Sequence, residues 1–228
     1  MLPAPEIARR YIEVSERVAS AAKRAGHEAS AVTLVLASKT QPPDAISAAY
    51  EAGARDFGEN YVQEALGKQE ALHLLDIRWH LIGHLQTNKA KVAASAFQLI
   101  HSVDSIRVAD ALARARSTPP VRTLLEVNLG SEDTKSGAAP ATLEELINSV
   151  RGKIEIAGLM TIPPPNENPA TSRTYFMELR EVRDRLAVRT GLALSELSMG
   201  MTEDFEVAIE EGATMVRIGR AIFGERSK

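Results

Sequence analysis

One lysine stands where a reactive amine is expected. Lys39 follows the apolar run Val32 to Ala37, which predicts a buried strand, so its side chain should project from the carboxyl end of that strand. A lysine amine has an ordinary pKa of about 10.4, and it becomes a nucleophile towards an aldehyde when it is partly desolvated or close to other cations. The alternative is a solvated surface lysine, which is the usual state of this residue type. Its position at a strand end favours the reactive interpretation.

Two segments near the end of the chain have the composition of a phosphate site. Ser198 to Thr202 leads into a predicted helix, and Val216 to Arg220 leads into a short closing helix. Backbone amides at a helix start attract an anion, and Gly200 and Gly219 would let the backbone approach it closely. The alternative is that both glycines are ordinary turn residues and Thr202 is an ordinary N-cap.

Arg217 lies inside an apolar strand, Met215 to Ile218, where a guanidinium needs a partner or a wet cavity. If it faces the ring nitrogen of a pyridine cofactor, it disfavours protonation of that nitrogen and weakens the ring as an electron sink. An internal salt bridge with a strand acid such as Glu126 is an equally open interpretation.

The elements that must position these side chains alternate between short apolar runs and longer amphipathic ones, as in repeated βα units. The predicted strands are Val32–Ala37, Arg55–Phe57, Trp79–Ile82, Gln98–His101, Arg122–Val127, Glu155–Leu159, Leu194–Ser198 and Met215–Ile218. The predicted helices are Ile7–Arg24, Asp44–Ala52, Asn60–Leu74, Ile106–Arg116, Thr142–Val150, Thr171–Thr190 and Glu203–Glu211. Thr142 with Glu145 predicts a capping box, and Gly191 and Gly212 predict helix C-caps.

Eight strands with interleaved helices favour an α/β fold, a single (β/α)8 TIM barrel with an extra N-terminal helix, over a doubly wound sheet. We expect one domain over residues 1–228. In a closed barrel the first and last strands are neighbours, and active sites lie at the carboxyl ends of the strands. Lys39 and the two glycine-containing segments should therefore open into the same mouth.

The composition excludes several classes of protein. With no cysteine, the chain forms no disulfide, thiolate metal site or catalytic thiol. A net charge of -3 with scattered Lys and Arg, together with 4% aromatic residues, indicates no nucleic-acid partner. No apolar run reaches the roughly 20 residues that span a bilayer, and residues 1–13 lack the order of a signal peptide. We expect a cytoplasmic monomer with no membrane partner.

Two further patterns carry less weight. Gly130 to Ser136 imitates a phosphate-binding P-loop, but Thr134 replaces the glycine that must precede the lysine, so we interpret it as a polar loop. A role for Lys135 and Ser136 at the barrel mouth stays open. His80 and His84 are four residues apart, which places them roughly 13 Å apart on a strand, and no metal site is expected.

Several strings, in order along nearly the whole chain, resemble the pyridoxal phosphate homeostasis proteins. They are Val35–Thr40, Phe57–Glu64, Trp79–Lys89, Gly158–Pro163, Leu197–Thr202, Val216–Gly219 and Ile222–Gly224. The resemblance implies a fold-type III barrel that binds pyridoxal 5′-phosphate (PLP) as a Schiff base, without established catalytic turnover. It also implies a role in vitamin B6 and amino-acid homeostasis, with PLP-requiring apoenzymes as candidate recipients.

The last strings also resemble the barrel of alanine racemases, in which a hydroxyl residue binds phosphate and an arginine fifteen positions later faces the pyridine nitrogen. Thr202 and Arg217 have that separation. The resemblance implies that Lys39 forms the Schiff base, that Thr202 and the amides of Gly219 and Arg220 hold phosphate, and that Arg217 meets the ring nitrogen. The homeostasis family more often has serine at position 202.

Four more residues are assigned by the same resemblance. Ser198 and Gly200 are implied as neighbours in the phosphate cup, and Asn60 and His84 as mouth residues beside the ring. At Arg220 the family more often has a small hydroxyl residue. A long cation there either clamps phosphate or points outward, so only its backbone amide is assigned.

Two rival functions remain. A racemase or decarboxylase on the same barrel needs a second domain that supplies a tyrosine, and the chain ends at Lys228, soon after the last strand. We therefore expect little or no turnover and assign no catalytic residue. The other rival is a pure interaction protein that docks through the charged helix Thr171–Thr190, although such charge patterns usually mark a solvated helix.

Overall fold

Eight parallel strands close into a barrel in chain order, with the last strand paired to the first. The computed structural model describes residues 2–115, 119–130, 136–164 and 168–225. The strands are β1 (Thr33–Ala37), β2 (Asp56–Glu59), β3 (Arg78–Leu81), β4 (Leu99–Val103), β5 (Arg122–Glu126), β6 (Glu155–Met160), β7 (Glu196–Ser198) and β8 (Met215–Ile218). The predicted α/β barrel is confirmed, and every predicted strand is present with its ends shifted by at most two residues.

Helices follow the strands around the outside. They are α1 (Ala4–Arg24), α2 (Pro43–Glu51), α3 (Val62–Ala71), α4 (Ala90–Ala96), α5 (Ile106–Arg114), α6 (Leu143–Val150), α7 (Arg173–Thr190), α8 (Phe205–Glu210) and α9 (Arg220–Phe223). Helix α4 was not predicted, because its seven residues are too few to show a helical period. Arg116, the predicted end of α5, lies outside the described residues. Of the helices in the described ranges, none is both long enough and apolar enough to cross a membrane.

The predicted extra helix α1 is present and packs against α2, α8 and α9. Its buried side chains include Ile7, Val14 and Val18, which share one face at helical spacing. Apolar burial of this kind stabilises by roughly 25 cal/mol per Å². The first helix therefore holds the last one, α9, against the barrel.

Helix ends follow the predictions only in part. Gly191 ends α7 in the left-handed conformation at φ +67°, and Gly212 follows α8 at φ +95°, as expected for C-cap glycines. The capping box at Thr142 is wrong. A short 3₁₀ turn precedes α6, and the Thr142 hydroxyl donates to the Ala139 carbonyl oxygen instead of accepting from the Glu145 amide.

Candidate functional site

A cavity of about 440 Å³ opens at the carboxyl ends of the strands. Its size lies within the range of small-molecule sites. Six of the nine predicted site residues line it, namely Lys39, Asn60, Thr202, Arg217, Gly219 and Arg220. Ile82, Ile162, Pro163 and Phe223 contribute an apolar wall. The structure thus brings the lysine and both glycine-containing segments to one cavity.

Strand order explains how Lys39 reaches this cavity. β1 pairs with β2 on one side and β8 on the other, so the loops after β1 and β8 are neighbours. A Cβ atom at Gly219 would lie 3.0 Å from the Ala37 carbonyl oxygen. The glycine therefore allows the loop after β8 to lie directly beside the end of β1.

The turn that carries Lys39 has an unusual backbone. Thr40 has φ +65°, a left-handed conformation that is uncommon for a β-branched residue and costs about 1–3 kcal/mol. Its amide donates to the Glu64 carboxylate on α3 at 2.6 Å. The strained turn is thus held by a contact from a neighbouring helix.

A buried ion cluster supports the same turn. The ammonium of Lys68 donates to the Ser38 carbonyl at 2.8 Å, to Glu59 Oε1 at 2.8 Å and to Glu64 Oε1 at 2.6 Å. The Ser38 hydroxyl donates to Glu59 Oε1 at 2.6 Å. Burial raises the pKa of Glu59, and the hydrogen bonds from Lys68 and Ser38 oppose that rise. Residues on both sides of Lys39 are therefore fixed to β2 and α3.

Sequence reasoning missed Lys68. The available signal was its spacing of four residues from Glu64, which places the two side chains on one face of α3. Its burial, with only 6% of its surface exposed, depends on where α3 packs and is not visible in the sequence.

The opposite wall of the cavity is rich in backbone donors. The amides of Thr202, Glu203, Gly219, Arg220 and Ala221, and the Thr202 hydroxyl, have no hydrogen-bond partner within the ranges that the structure describes. The two acids nearby are already engaged, since Asp204 accepts from the Met201 amide at 2.8 Å and Glu203 pairs with Arg220. Unpaired amides and a hydroxyl of this kind suit a phosphate group.

The side chain of Arg220 is paired with carboxylates. It is exposed, and its guanidinium lies 3.0 Å from Glu203 and 3.9 Å from Glu225. Arg220 lines the cavity, and its guanidinium is already paired with carboxylates, so the backbone amide stays the part of Arg220 that we assign to an anion.

Arg217 is buried beside the cavity and is 4% exposed. Its guanidinium donates to the Ser198 hydroxyl at 2.5 Å and to the Thr161 carbonyl at 2.9 Å. Burial lowers its pKa to about 10, and attraction from Glu126 opposes this change. The salt bridge with Glu126 that the sequence left open is not formed between these two described residues, since the guanidinium bonds to Ser198 and Thr161 and Glu126 acts only as a more distant charge. Arg217 is thus held by neutral oxygens.

Glu126 is the second perturbed acid near the mouth. Burial, and then repulsion from Asp104, raise its pKa to about 7, while Arg217 acts in the opposite direction. This carboxyl group therefore keeps its proton to a higher pH than an ordinary glutamate does.

Three predicted site residues do not line the cavity. Ser198 lies beneath Arg217, and Gly200 accepts from the Arg217 amide at 3.0 Å. Gly200 has φ +91°, and a Cβ atom there would lie 2.5 Å from the Ala208 side chain, so this glycine lets the loop pack onto α8. His84 is exposed and lies 3.4 Å from the Asp104 carboxylate, outside the cavity wall.

His80 and His84 do not share a partner. His80 lies inside the barrel between Asp56 and His101, whereas His84 lies at the surface. No group of three or more metal-ligating side chains occurs in the described ranges. The loop interpretation of residues 130–136 cannot be compared, because Lys135 and residues 131–134 lie outside the described residues.

The chain has clear relatives. Residues 13–227 match the family profile described as alanine racemase, N-terminal domain. The chain is 49% identical over 221 residues to the pyridoxal phosphate homeostasis protein of Aquifex aeolicus (strain VF5), a match that covers 95% of this chain and 97% of that protein. It is 45% identical to the protein of the same name from Pseudomonas aeruginosa, covering 96% of each chain.

Solved structures give the same relationship. The structure of PipY from Synechococcus elongatus PCC7942 with PLP bound has a TM-score of 0.81 and 40% identity, covering 92% of this chain and all of that one. Alanine racemase from Corynebacterium glutamicum has a TM-score of 0.76 at 16% identity and is covered over 61% of its length, a likeness that shows the fold alone. The chain belongs to the pyridoxal phosphate homeostasis protein family.

Proposed function

We propose that this protein binds PLP on Lys39 and acts in PLP and amino-acid homeostasis, without catalytic turnover of its own. One observation carries the proposal: Lys39, the unpaired amides around Thr202 and Gly219, and Arg217 line a single cavity. The names of the curated relatives and the PLP-bound structure of PipY support the same cofactor.

Each wall of the cavity has a distinct task. The amine of Lys39 would hold PLP as a Schiff base, while the Thr202 hydroxyl and the amides of Gly219 and Arg220 would bind the phosphate. Arg217 would face the ring nitrogen, and because a guanidinium only donates hydrogen bonds, it keeps that nitrogen unprotonated. When bound, PLP supplies an aldehyde carbon and an electron-withdrawing ring.

The remaining predicted residues take supporting places in this proposal. Asn60 lines the cavity and would lie beside the ring of PLP. A Cβ atom at Gly83 would overlap the Asn60 backbone, so Gly83 lets the two loops meet. Ser198 and Gly200 would act through Arg217 rather than by contact with PLP. We propose no cofactor contact for His84, since it lies outside the cavity wall.

The acid and base groups in the cavity support the proposed lack of turnover. Among the described cavity residues, the titratable side chains besides the two arginines are Lys39, Glu203 and Asp204. Both carboxylates already accept hydrogen bonds, Glu203 from Arg220 and Asp204 from the Met201 amide, which makes each a weaker candidate for a second acid or base opposite Lys39. An arginine at the ring nitrogen also weakens carbanion stabilisation, but the racemases that this barrel resembles share that arginine, so it does not separate the two functions. The proposed role is to hold PLP and release it to apoenzymes.

Borohydride reduction tests the assignment. Purified protein incubated with PLP is reduced and digested, and the modified peptide is identified by mass spectrometry. We expect the label on Lys39 and no visible imine absorption in Lys39→Ala. The control is Lys91→Ala on α4, where the lysine is exposed and outside the cavity. Label on another lysine, or an unchanged spectrum in Lys39→Ala, would contradict the proposal.

The alternative function is a racemase on the same barrel, which the fold alone supports. Incubation of the PLP-loaded protein with single enantiomers of amino acids, followed by chiral chromatography, separates the two. Racemisation at enzymatic rates would exclude the proposed role as a holder without turnover.

A further inference from the structure

A continuous row of polar side chains crosses the inside of the barrel beneath the cavity. Arg217 donates to the Ser198 hydroxyl at 2.5 Å, and that hydroxyl lies 2.9 Å from His101 Nδ1. His101 Nε2 lies 3.0 Å from His80 Nδ1, and His80 Nε2 lies 3.0 Å from Asp56 Oδ1. The row runs from β8 through β7, β4 and β3 to the amino end of β2.

The two ends of the row fix the direction of every hydrogen bond. A guanidinium can only donate, and the Asp56 carboxylate, paired with Arg78 at 2.8 and 2.6 Å, can only accept. Ser198 is fully buried, and its hydroxyl has two neighbours among the described residues, Arg217 and His101. Since Arg217 is a donor, the hydroxyl hydrogen has only His101 Nδ1 to bond.

The tautomers of both histidines follow. If His101 Nδ1 accepts from Ser198, a neutral His101 carries its proton on Nε2 and donates it to His80 Nδ1. His80 then carries its own proton on Nε2 and donates it to Asp56. In the opposite direction, the Ser198 hydrogen would have no acceptor and the unprotonated His80 Nε2 would face a carboxylate. Burial, with repulsion from the guanidinium groups of Arg217 and Arg122, holds the pKa of His101 well below its ordinary value, as a neutral ring requires.

We propose that His101 and His80 are positioning residues: with Ser198 they form a one-directional hydrogen-bond chain that anchors the guanidinium of Arg217 at the cavity and ends on Asp56 at the far end of the barrel. The chain replaces the salt bridge that a buried arginine would otherwise need. It rests on the proposed function only in its last step, the effect on PLP.

Nitrogen NMR of the full-length protein without PLP tests the chain directly. The protein has five histidines, which are labelled with ¹⁵N. The signals of His80 and His101 are assigned by their loss in the variants His80→Gln and His101→Gln. We expect both rings to be neutral with the proton on Nε2. In Ser198→Ala, the Nδ1 signal of His101 should move to that of a nitrogen without a hydrogen bond. Ser102→Ala is the matched control, because this buried serine donates to the Gly83 carbonyl instead. An Nδ1 proton on His101, or a doubly protonated His80, would overturn the proposal.

PLP titration then tests the anchoring of Arg217. His101→Leu removes the acceptor for Ser198 and should weaken PLP binding about tenfold, the effect of losing a hydrogen bond within a charged network. His101→Gln, whose amide can accept and donate, should restore most of the affinity. Unchanged affinity in folded His101→Leu would overturn the positioning role. If the wild-type protein itself takes up no PLP, the proposed function fails, while the tautomers stay measurable without cofactor.

Discussion

Replacing Lys68 by methionine should destabilise the protein strongly, because the ammonium is the only cation of a buried ion cluster in the described structure. It lies within 2.8 Å of Glu59, Glu64 and the Ser38 carbonyl oxygen. Methionine keeps the aliphatic length but leaves the Glu59 carboxylate buried without a cation. Breaking a buried pair in this way costs about 3–5 kcal/mol. That is a large fraction of the roughly 5–15 kcal/mol that stabilises a natural domain.

The loss should depend on pH in a defined direction. Burial already raises the pKa of Glu59 above its ordinary 4.5, and the Lys68 hydrogen bond opposes this rise. In Lys68→Met the opposition is gone, so the pKa rises further and the native state holds a proton that the unfolded state releases. The variant therefore loses additional stability as pH rises above about 4.5, and its deficit is smaller in acid.

Urea unfolding at pH 5.5 and pH 8 measures both effects. Glu59→Gln combined with Lys68→Met should recover part of the loss at pH 8, and the exposed Lys91→Met serves as a matched control. A second readout is the imine absorption on adding PLP, which should weaken if the strained turn after Lys39 relaxes. A deficit below about 1 kcal/mol, the usual size for an exposed pair, or one equal at both pH values, would refute the reasoning.

Three further changes test other parts of the structure. Burial raises the pKa of Glu126 from 4.5 to about 7, so the native state retains its proton and the free energy of unfolding falls as pH rises through that interval. Glu126→Gln should flatten this decline, which amounts to at most about 3 kcal/mol in urea unfolding. A Cβ atom at Gly158 would overlap the carbonyl oxygen of the neighbouring strand, so Gly158→Ala should cost about 1–3 kcal/mol or more. Gly67→Ala, where the added methyl group meets open space on α3, should instead stabilise by up to about 1 kcal/mol in the same assay. Thr202→Val should weaken PLP affinity about tenfold in a spectroscopic titration and Thr202→Ser should not, since only valine removes the hydroxyl that we propose binds phosphate. Equal effects would contradict a role for that hydroxyl.

The sequence was sufficient to place Lys39 beside the two late loops because barrel closure makes the first and last strands neighbours. That inference needed only the number of strands and the carboxyl-end rule. The depth of each side chain was harder to predict. Ser198 is the last residue of β7, yet its side chain points beneath Arg217 and not into the cavity.

Residues that act through other residues were the ones missed. His101 is the last residue of a predicted apolar strand, a position where histidine is uncommon. Its partners, however, lie on β3 and β7, and the sequence does not show that they meet it. Such contacts between distant parts of the chain are set by how strands tilt and stack around the barrel, which a single sequence does not specify. Lys68 was missed for the same reason, since its partner Glu59 lies on another element.

The pairing of β1 with β8 has a consequence for biosynthesis. Lys39, the proposed Schiff-base residue, leaves the ribosome early. The donors proposed to bind phosphate are made last, and α9 packs against α1. Until β8 is in place, a nascent chain would have the Lys39 amine but not the backbone donors proposed to bind phosphate. Only the completed chain should therefore retain PLP, and chains arrested before β8 should lose PLP on dilution.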